Sequence, residues 1–371
     1  MRLFQFELKK IIFGKRFLYI IVFLILCISA LFLRNHIFQA TIQQEREEHI
    51  LSAMREGQKN ISQLELTIEN NPKDEVAKGK IIRMEEIINT LFDMRKAFHA
   101  GDWQQELRIE NLFLAQLQDY KAMGGEFSYL SEDIKRTLAY NTKHIATNIA
   151  PEHETYSTAL PNFMKQIIDI IVNFGIIAVV LILVGDSLTT EFEQRSIQFL
   201  YTQPLKKSAI IRSKFWSAVI IYGVVTLCSL VTAWGVALLF GKQGTFLYPI
   251  LIEENGIFSF MTITDYGIAA LTSVTVIILF VISLCLIVSL LFKNTIVSLL
   301  TILILLIGGY ALFAQLSFSN IEWLNPFEYV LAKETIHKVG YDWYKGIGVT
   351  LAAAFLCYII SLLRIRFVRT M

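Results

Sequence analysis

The sequence predicts an all-α integral membrane protein with six transmembrane helices, an N-terminal amphipathic helix and a helical extracytoplasmic insert between spans one and two. Composition supports this fold class first. Of the 371 residues, 54% are hydrophobic and 18% are charged, whereas soluble domains have about 45–50% apolar and about 25% charged residues. In addition, apolar runs close to the ~20 residues that cross a bilayer recur six times.

The order of the segments follows from these runs. We place the spans at residues 17–33, 166–184, 216–240, 266–292, 295–316 and 346–363. The remaining segments are an N-terminal amphipathic helix at 1–16, the insert at 34–165, loops at 185–215 and 317–345, and a tail at 364–371. The first run has a basic leader but a long apolar core, and no small-x-small cleavage pattern precedes Leu31, so we expect an uncleaved signal anchor.

The basic residues predict the orientation of the spans. Residues 1–16 and 185–215 each carry five Lys or Arg, and the tail carries three, whereas the loop at 241–265 carries only Lys242. Short loops rich in Lys and Arg stay on the cytoplasmic side. We therefore expect a multi-pass protein of the cell membrane, in bacteria the cytoplasmic membrane, with both termini in the cytoplasm and the insert outside.

The insert reads as several helices separated by cap and turn residues. Asn71-Pro72 and Asp102 are expected to begin helices, Gly124-Gly125 to break the chain, and Ser131 to begin another helix. Apolar residues recur at helical spacing, as expected for a small bundle or hairpin: Ile81, Met84, Ile88 and Leu91, then Ile109, Phe113, Leu117 and Tyr120. Two roles stay open, a solvated helical cap or a domain that receives a substrate or binds a partner.

Catalytic and metal-binding patterns are not found. The four cysteines lie far apart in apolar runs, so we interpret them as small apolar residues. His153-Glu154 begins like a zinc-protease motif but has Ser157 at the second ligand position. The six histidines all fall on the predicted outer side, where sensing of pH or metal and simple exclusion from the spans are both compatible with the pattern. We predict no metal site and no ATPase site.

Two polar residues interrupt the second span. Asp169 and Asn173 are candidates for an intramembrane functional site, because carboxylates are costly in the membrane. Lys165 precedes Asp169 by one helical turn, however, and predicts a structural ion pair instead.

The loop at 185–215 differs from a simple re-entry turn. Thr190 and Glu193 have the spacing of a capping box, which predicts a short amphipathic helix over 191–200. Pro204 suits the first turn of the following helix, and Lys206-Lys207 comes directly after it. The simpler interpretation is a hairpin with inside-positive anchors, although such an anchor does not need an ordered acidic helix.

This loop carries a resemblance to a known family. "RSIQFLYTQPLKKSAIIRSK" preceded by Glu191 resembles the segment between spans two and three in the permease subunits of type-2 ABC exporters. Three other segments are similar to that family: "MRLFQFELKKIIFGKR" to its amphipathic elbow helix, "SLLFKNTIVSLL" to its cytoplasmic turn between spans four and five, and "IEWLNPFEYV" to its outer segment after span five. The insert is longer than the first outer loop of compact family members.

The resemblance implies a function and partners. It implies an export permease that forms the translocation pathway with a second permease copy or a homologous permease. A separate ATP-binding cassette subunit would bind ATP and Mg²⁺. This chain would hold no cofactor itself and would bind no nucleic acid. The coupling helix that docks on that subunit would comprise Glu191, Phe192, Glu193, Arg195, Phe199, Leu200, Pro204, Lys206 and Lys207. The alternative is a non-transporting receptor or scaffold that presents the helical insert.

Overall fold

The computed structural model describes residues 2–202, 206–254, 256–315, 322–337 and 343–367. The chain is 81% helical, which confirms the predicted helical class. Within the described ranges, six helices are long and apolar enough to cross a membrane, the number that the sequence predicts. The chain folds as two compact units.

The first unit comprises residues 1–32, 159–246 and 262–371 and contains all six candidate spans or their apolar parts. Its helices are α1 (Arg2–Ile12), the first part of α2 (Lys15–Asn70), α6 (Leu160–Val172), α7 (Gly175–Val184), α8 (Thr189–Glu193), α9 (Ile197–Thr202), α10 (Lys207–Phe240), α11 (Ile263–Phe292), α12 (Thr295–Gln315), α13 (Ala332–Ile336) and α14 (Lys345–Phe367), with 3-10 turns at Glu322–Leu324 and Glu328–Val330. Helix α11 lies at the centre: it contacts α6, α10, α12 and α14 and is buried along most of its length.

The second span differs from the prediction, whereas the turn between spans four and five agrees with it. The predicted second span, 166–184, is not one helix, because α6 ends at Val172 and Phe174 adopts a left-handed φ of 69° before α7 begins. The candidate span in this region is Gly175–Glu193, which joins α7 and α8 through the turn at 185–188. The tight turn predicted between spans four and five is present, since only Lys293 and Asn294 separate α11 from α12.

The second unit comprises residues 33–158 and 247–261. It contains the later part of α2 together with α3 (Glu75–Ala100), α4 (Trp103–Ala122), α5 (Ser131–Thr147), β1 (Pro249–Glu254) and β2 (Ile257–Thr262) up to Met261. The hairpin of β1 and β2 is a small addition to the helical fold that the sequence analysis did not predict. It belongs to this unit although it lies more than a hundred residues after α4. The hydroxyl of Tyr248, beside the hairpin, forms a hydrogen bond of 2.8 Å with the hydroxyl of Tyr140 in α5.

The core of the second unit follows the predicted helical stripes. Met84, Leu91 and Leu117 have almost no exposed surface, and Phe113 and Tyr120 pack in the same cluster. The caps agree only in part. Asp102 accepts from the backbone N–H of Gln105 as predicted, but α3 is capped by Asp74, whose carboxylate accepts from Ala77, and not by Asn71. Asp74 directly precedes the first turn of α3, so its carboxylate can reach the free amides there.

Candidate functional site

The loop between α7 and α10 contains most of the candidate residues. The helix predicted over 191–200 is broken into α8 and α9, because Arg195 between them has a positive φ of 56°. A left-handed arginine cannot continue a right-handed helix. Prediction of one continuous amphipathic helix was therefore wrong, and the loop consists of two short helices that meet at Arg195.

Glu193 caps a different helix from the one predicted. Thr190 lies inside α8, and α8 has no side-chain N-cap hydrogen bond. The carboxylate of Glu193 instead accepts from the backbone N–H of Thr295 at 2.7 Å and from its hydroxyl at 3.1 Å. Thr295 is the first residue of α12, where free amides and the helix dipole favour a negative charge. Glu193 thus connects the loop to the start of α12.

Glu191 lies in a buried ionic cluster and does not project outward. Its exposed fraction is 4%, and its Oε1 lies 2.8 Å from the Nζ of Lys214 and 3.0 Å from the Nζ of Lys10. Lys214 in turn lies 3.2 Å from the carboxylate of Glu7 and donates to the backbone carbonyl of Ser187 at 3.0 Å.

This cluster connects three helices. Glu7 and Lys10 belong to α1, Glu191 belongs to α8, and Lys214 belongs to α10. The formal charges of two carboxylates and two ammonium groups balance. Glu7, Glu191 and Lys214 are buried while Lys10 is 49% exposed, and pairing offsets the loss of hydration of the buried groups. We call Glu7, Lys10, Glu191 and Lys214 the loop-anchoring cluster. It fixes the position of α8 against the N-terminal helix.

A second ion pair and an apolar patch complete the attachment of the loop. Asp186 accepts from Arg16 at 2.6 Å. Leu188 and Ile197 are buried against an apolar cluster, whose other buried members are Ile210, Ile211, Leu286, Leu290 and Ile365. Phe192 packs at the edge of this cluster, and the ammonium of Lys293 lies 5.8 Å from its ring centroid. The loop therefore has a buried inner face.

The outer face of the loop carries an exposed aromatic side chain. Phe199 in α9 is 74% exposed, and Arg195 and Lys206 are exposed near it in the chain. Lys207 begins α10. The backbone of Leu200 lies in α9, while Pro204 is outside the described residues. The predicted coupling residues therefore differ in exposure. Phe199, Arg195 and Lys206 are exposed, whereas Glu191 is buried.

Asp169 and Asn173 do not form one site with the loop residues. Asp169 in α6 lies 3.1 Å from Lys165 and 3.2 Å from Lys333, and it accepts from the hydroxyl of Tyr266. The pair predicted between Lys165 and Asp169 is therefore present. Asn173 is the C-cap of α6, and its backbone N–H donates to the carbonyl of Asp169. Asn173 thus marks the break in the second span.

The sequence analysis missed that Lys214 pairs with Glu191 and that Glu7 shares the same ammonium group. The sequence contains a signal for Glu7 and another for Lys214. Glu7 is the only acidic residue among residues 1–16, and Lys214 is followed by a long apolar run. An ionisable side chain next to a membrane segment needs a partner of opposite charge. The partner itself was not predictable, because α1 and α10 are about 200 residues apart.

Comparisons with known proteins agree with this architecture. Residues 1–369 match the family model described as ABC-2 family transporter protein. Neither the curated proteins nor the solved structures contain a match to the chain. The family match covers both units and the loop, so the chain belongs to the ABC-2 transporter family and is a type-2 ABC transporter permease.

Proposed function

We propose that the chain is the permease subunit of an ATP-driven exporter. It would form the translocation pathway together with a second copy of itself or a homologous permease, and a separate ATP-binding cassette subunit would bind ATP and Mg²⁺. Export, the partner subunits, the cytoplasmic position of both termini and the outer position of the insert all belong to this proposal.

The observation that carries the proposal is the two-sided loop between α7 and α10. Its inner face is bound to α1, α10 and α12 through Glu191, Lys214 and Glu193. Its outer face presents Phe199, which is 74% exposed. A partner that docks on such a loop can move three helices through buried contacts. Exposed aromatic side chains commonly contribute most of the binding energy of an interface.

Glu191 takes a different part in coupling from the one that the sequence suggests. A side chain with 4% exposure cannot contact a basic residue of a partner without leaving its cluster. We therefore assign Glu191 to transmission of the movement, and Phe199 with the neighbouring Arg195, Lys206 and Lys207 to docking. A displacement of α8 would pull on Lys214 in α10 and on Lys10 in α1. Such a shift changes the balance between two states of the permease.

The decisive experiment is purification of this chain from its native membrane, followed by reconstitution with any ATP-binding cassette subunit that accompanies it. We expect the two to purify together and the permease to change the rate of ATP hydrolysis in proteoliposomes. Phe199→Ala should weaken the complex while leaving the permease folded. Absence of any ATPase partner would favour the alternative, a receptor or scaffold that presents the second unit.

The proposed orientation has its own test. Glu65 is exposed on α2 in the second unit. Glu65→Cys should react with a membrane-impermeant maleimide in intact cells, and the unsubstituted chain serves as the control for its native cysteines. Reaction only after permeabilisation would place the second unit in the cytoplasm and would contradict the proposed topology.

A further inference from the structure

The second unit contains a cavity of about 490 Å³ that no part of the transport proposal uses. Its walls come from α2, α3, α4 and α5 and from the segments on either side of α5. The volume lies within the range of small-molecule sites, about 300–1,000 Å³. All lining residues belong to this one unit.

Acidic side chains predominate among the charged residues of the cavity. Glu45, Glu106, Glu110 and Glu152 line it, against a single arginine, Arg46. Arg46 is already bound, because its guanidinium lies 2.5 Å from the Oε1 of Glu106. Glu45, Glu110 and Glu152 have no Lys or Arg partner among the described lining residues, so acidic groups outnumber basic ones in the wall.

Two of these carboxylates have unused acceptor oxygens. Glu106 is 5% exposed, and Arg46 on Oε1 is its only side-chain partner among the residues that the structure describes. Glu110 accepts at Oε2 from the amide of Asn141 at 2.8 Å, and its Oε1 has no described partner. These oxygens line the cavity and offer acceptors to a donor or a cation that enters it.

The rest of the wall suits an apolar body. Phe113, Tyr129 and Tyr140 contribute aromatic rings, and Leu91 and Met94 contribute aliphatic surface. Phe113 and Tyr129 meet edge to face with centroids 5.7 Å apart, so these rings are held in fixed orientations. Aromatic faces attract organic cations as well as apolar groups. A small inorganic cation would use the carboxylates but not these rings.

We propose that this cavity is a binding site for an amphipathic organic cation, whose positive centre lies near Glu106 and Glu110 and whose apolar part packs on Phe113, Tyr129 and Tyr140. The site goes beyond the proposed transport function and does not depend on it. Burial raises the pKa of both carboxyl groups, and a cation bound beside them would favour their ionised forms.

The test uses two probes of the same shape and opposite charge, tetraphenylphosphonium and tetraphenylborate. Binding is measured by calorimetry on the full chain in phosphatidylcholine nanodiscs, and the signal of empty nanodiscs is subtracted. We expect saturable binding of tetraphenylphosphonium and none of tetraphenylborate. Glu110→Gln, which keeps the acceptor for Asn141 but removes the charge, should weaken tetraphenylphosphonium binding about ten-fold.

Matched variants distinguish binding of the probe in the cavity from binding elsewhere on the surface. Glu65→Gln, at an exposed position on α2 outside the cavity, should bind as the parent chain does. Glu45→Gln, at the exposed mouth, should weaken binding by a smaller factor and tests the site even if Glu110→Gln misfolds. Equal binding of both probes, equal affinity of the Glu45 and Glu65 variants, or no binding up to about millimolar concentration would overturn the proposal.

Discussion

The ammonium of Lys214 in α10 lies 2.8 Å from the carboxylate of Glu191 in α8, and both side chains are buried. The same ammonium also contacts Glu7 in α1. A single cation therefore holds together two carboxylates from distant parts of the chain. Removal of that cation should affect the protein more than removal of any exposed lysine.

Lys214→Ala is expected to destabilise the protein by about 3–5 kcal/mol, because it leaves the carboxylates of Glu7 and Glu191 buried with only Lys10 nearby. The measurement is the midpoint of thermal unfolding of the purified full chain. Lys206→Ala is the matched control, since Lys206 is exposed at the start of α10, and it should change the free energy of unfolding by less than about 0.5 kcal/mol.

A compensated variant tests the cause of that loss. Lys214→Met combined with Glu7→Gln and Glu191→Gln removes the buried charges together, and it should recover most of the stability, because neutral side chains of similar size avoid the cost of burying ions. If Lys214→Ala is as stable as the parent chain, the loop-anchoring cluster does not hold α8 in place.

Phe199→Ala should weaken binding of the ATP-binding subunit by about 2 kcal/mol or more, roughly a thirty-fold loss of affinity, without lowering the stability of the permease. The side chain is 74% exposed, so its truncation leaves no cavity. Affinity is measured by titration of the reconstituted complex. Phe199→Leu keeps an apolar anchor and should lose less. Unchanged affinity of Phe199→Ala would remove α9 from the docking surface.

Local sequence patterns predicted the spans and the helical insert but not the contacts within the loop. Apolar runs and the stripe containing Met84 and Leu117 report which faces are buried, because the helical period is visible within a few turns. The break at Arg195 was not predictable in this way, since a left-handed residue that is not glycine is imposed by tertiary contacts. The bond from Glu193 to Thr295 likewise depends on a pairing of distant segments.

The hairpin of β1 and β2 was missed for a different reason. Its residues, "PILIEENGIFSFMT", contain an Asn-Gly pair between apolar runs, which is a strong local signal for a hairpin. The sequence analysis instead treated 241–265 only as a short loop between spans. Its assignment to the unit formed by the insert required long-range contacts such as that between Tyr140 and Tyr248.

Gly125→Ala should destabilise the second unit by about 1–3 kcal/mol. A Cβ at this position would lie 2.3 Å from the ring of Tyr120, and Tyr120 is buried in the core. Gly79→Ala in α3 is the control: its Cβ would meet only the end of Met123 at 3.5 Å, and alanine should stabilise the helix by about 0.5–1 kcal/mol. Hydrogen exchange of the α3 and α4 amides measures both effects. Equal exchange in the two variants would contradict the tight contact at Tyr120.

The carboxyl group of Glu110 makes the stability of the second unit depend on pH. Burial is the main cause that raises its pKa above the ordinary value of 4.5, and nearby Glu106 adds to the increase, while Asn141 and Arg46 oppose it. The folded chain therefore retains a proton that the unfolded chain has already released. The stability contributed by this group is complete below the ordinary pKa and is lost as pH rises through the raised one.

Glu110→Gln should remove that loss. At about pH 8 the variant should unfold at a higher temperature than the parent chain, and at about pH 4 the two should be nearly equal, because glutamine resembles the protonated acid. Other titratable or charged groups line the same cavity and are present in both chains, so they cancel in the comparison: Glu45, Arg46, His49, Glu106, Tyr129, Tyr140, Glu152 and His153. Glu65→Gln, outside the cavity, should show no such dependence.

A Glu110→Gln variant that is less stable than the parent at the higher pH would mean that ionised Glu110 supports the fold. The combination expected here, greater stability with weaker binding of tetraphenylphosphonium, is typical of a residue placed for a ligand at the expense of stability.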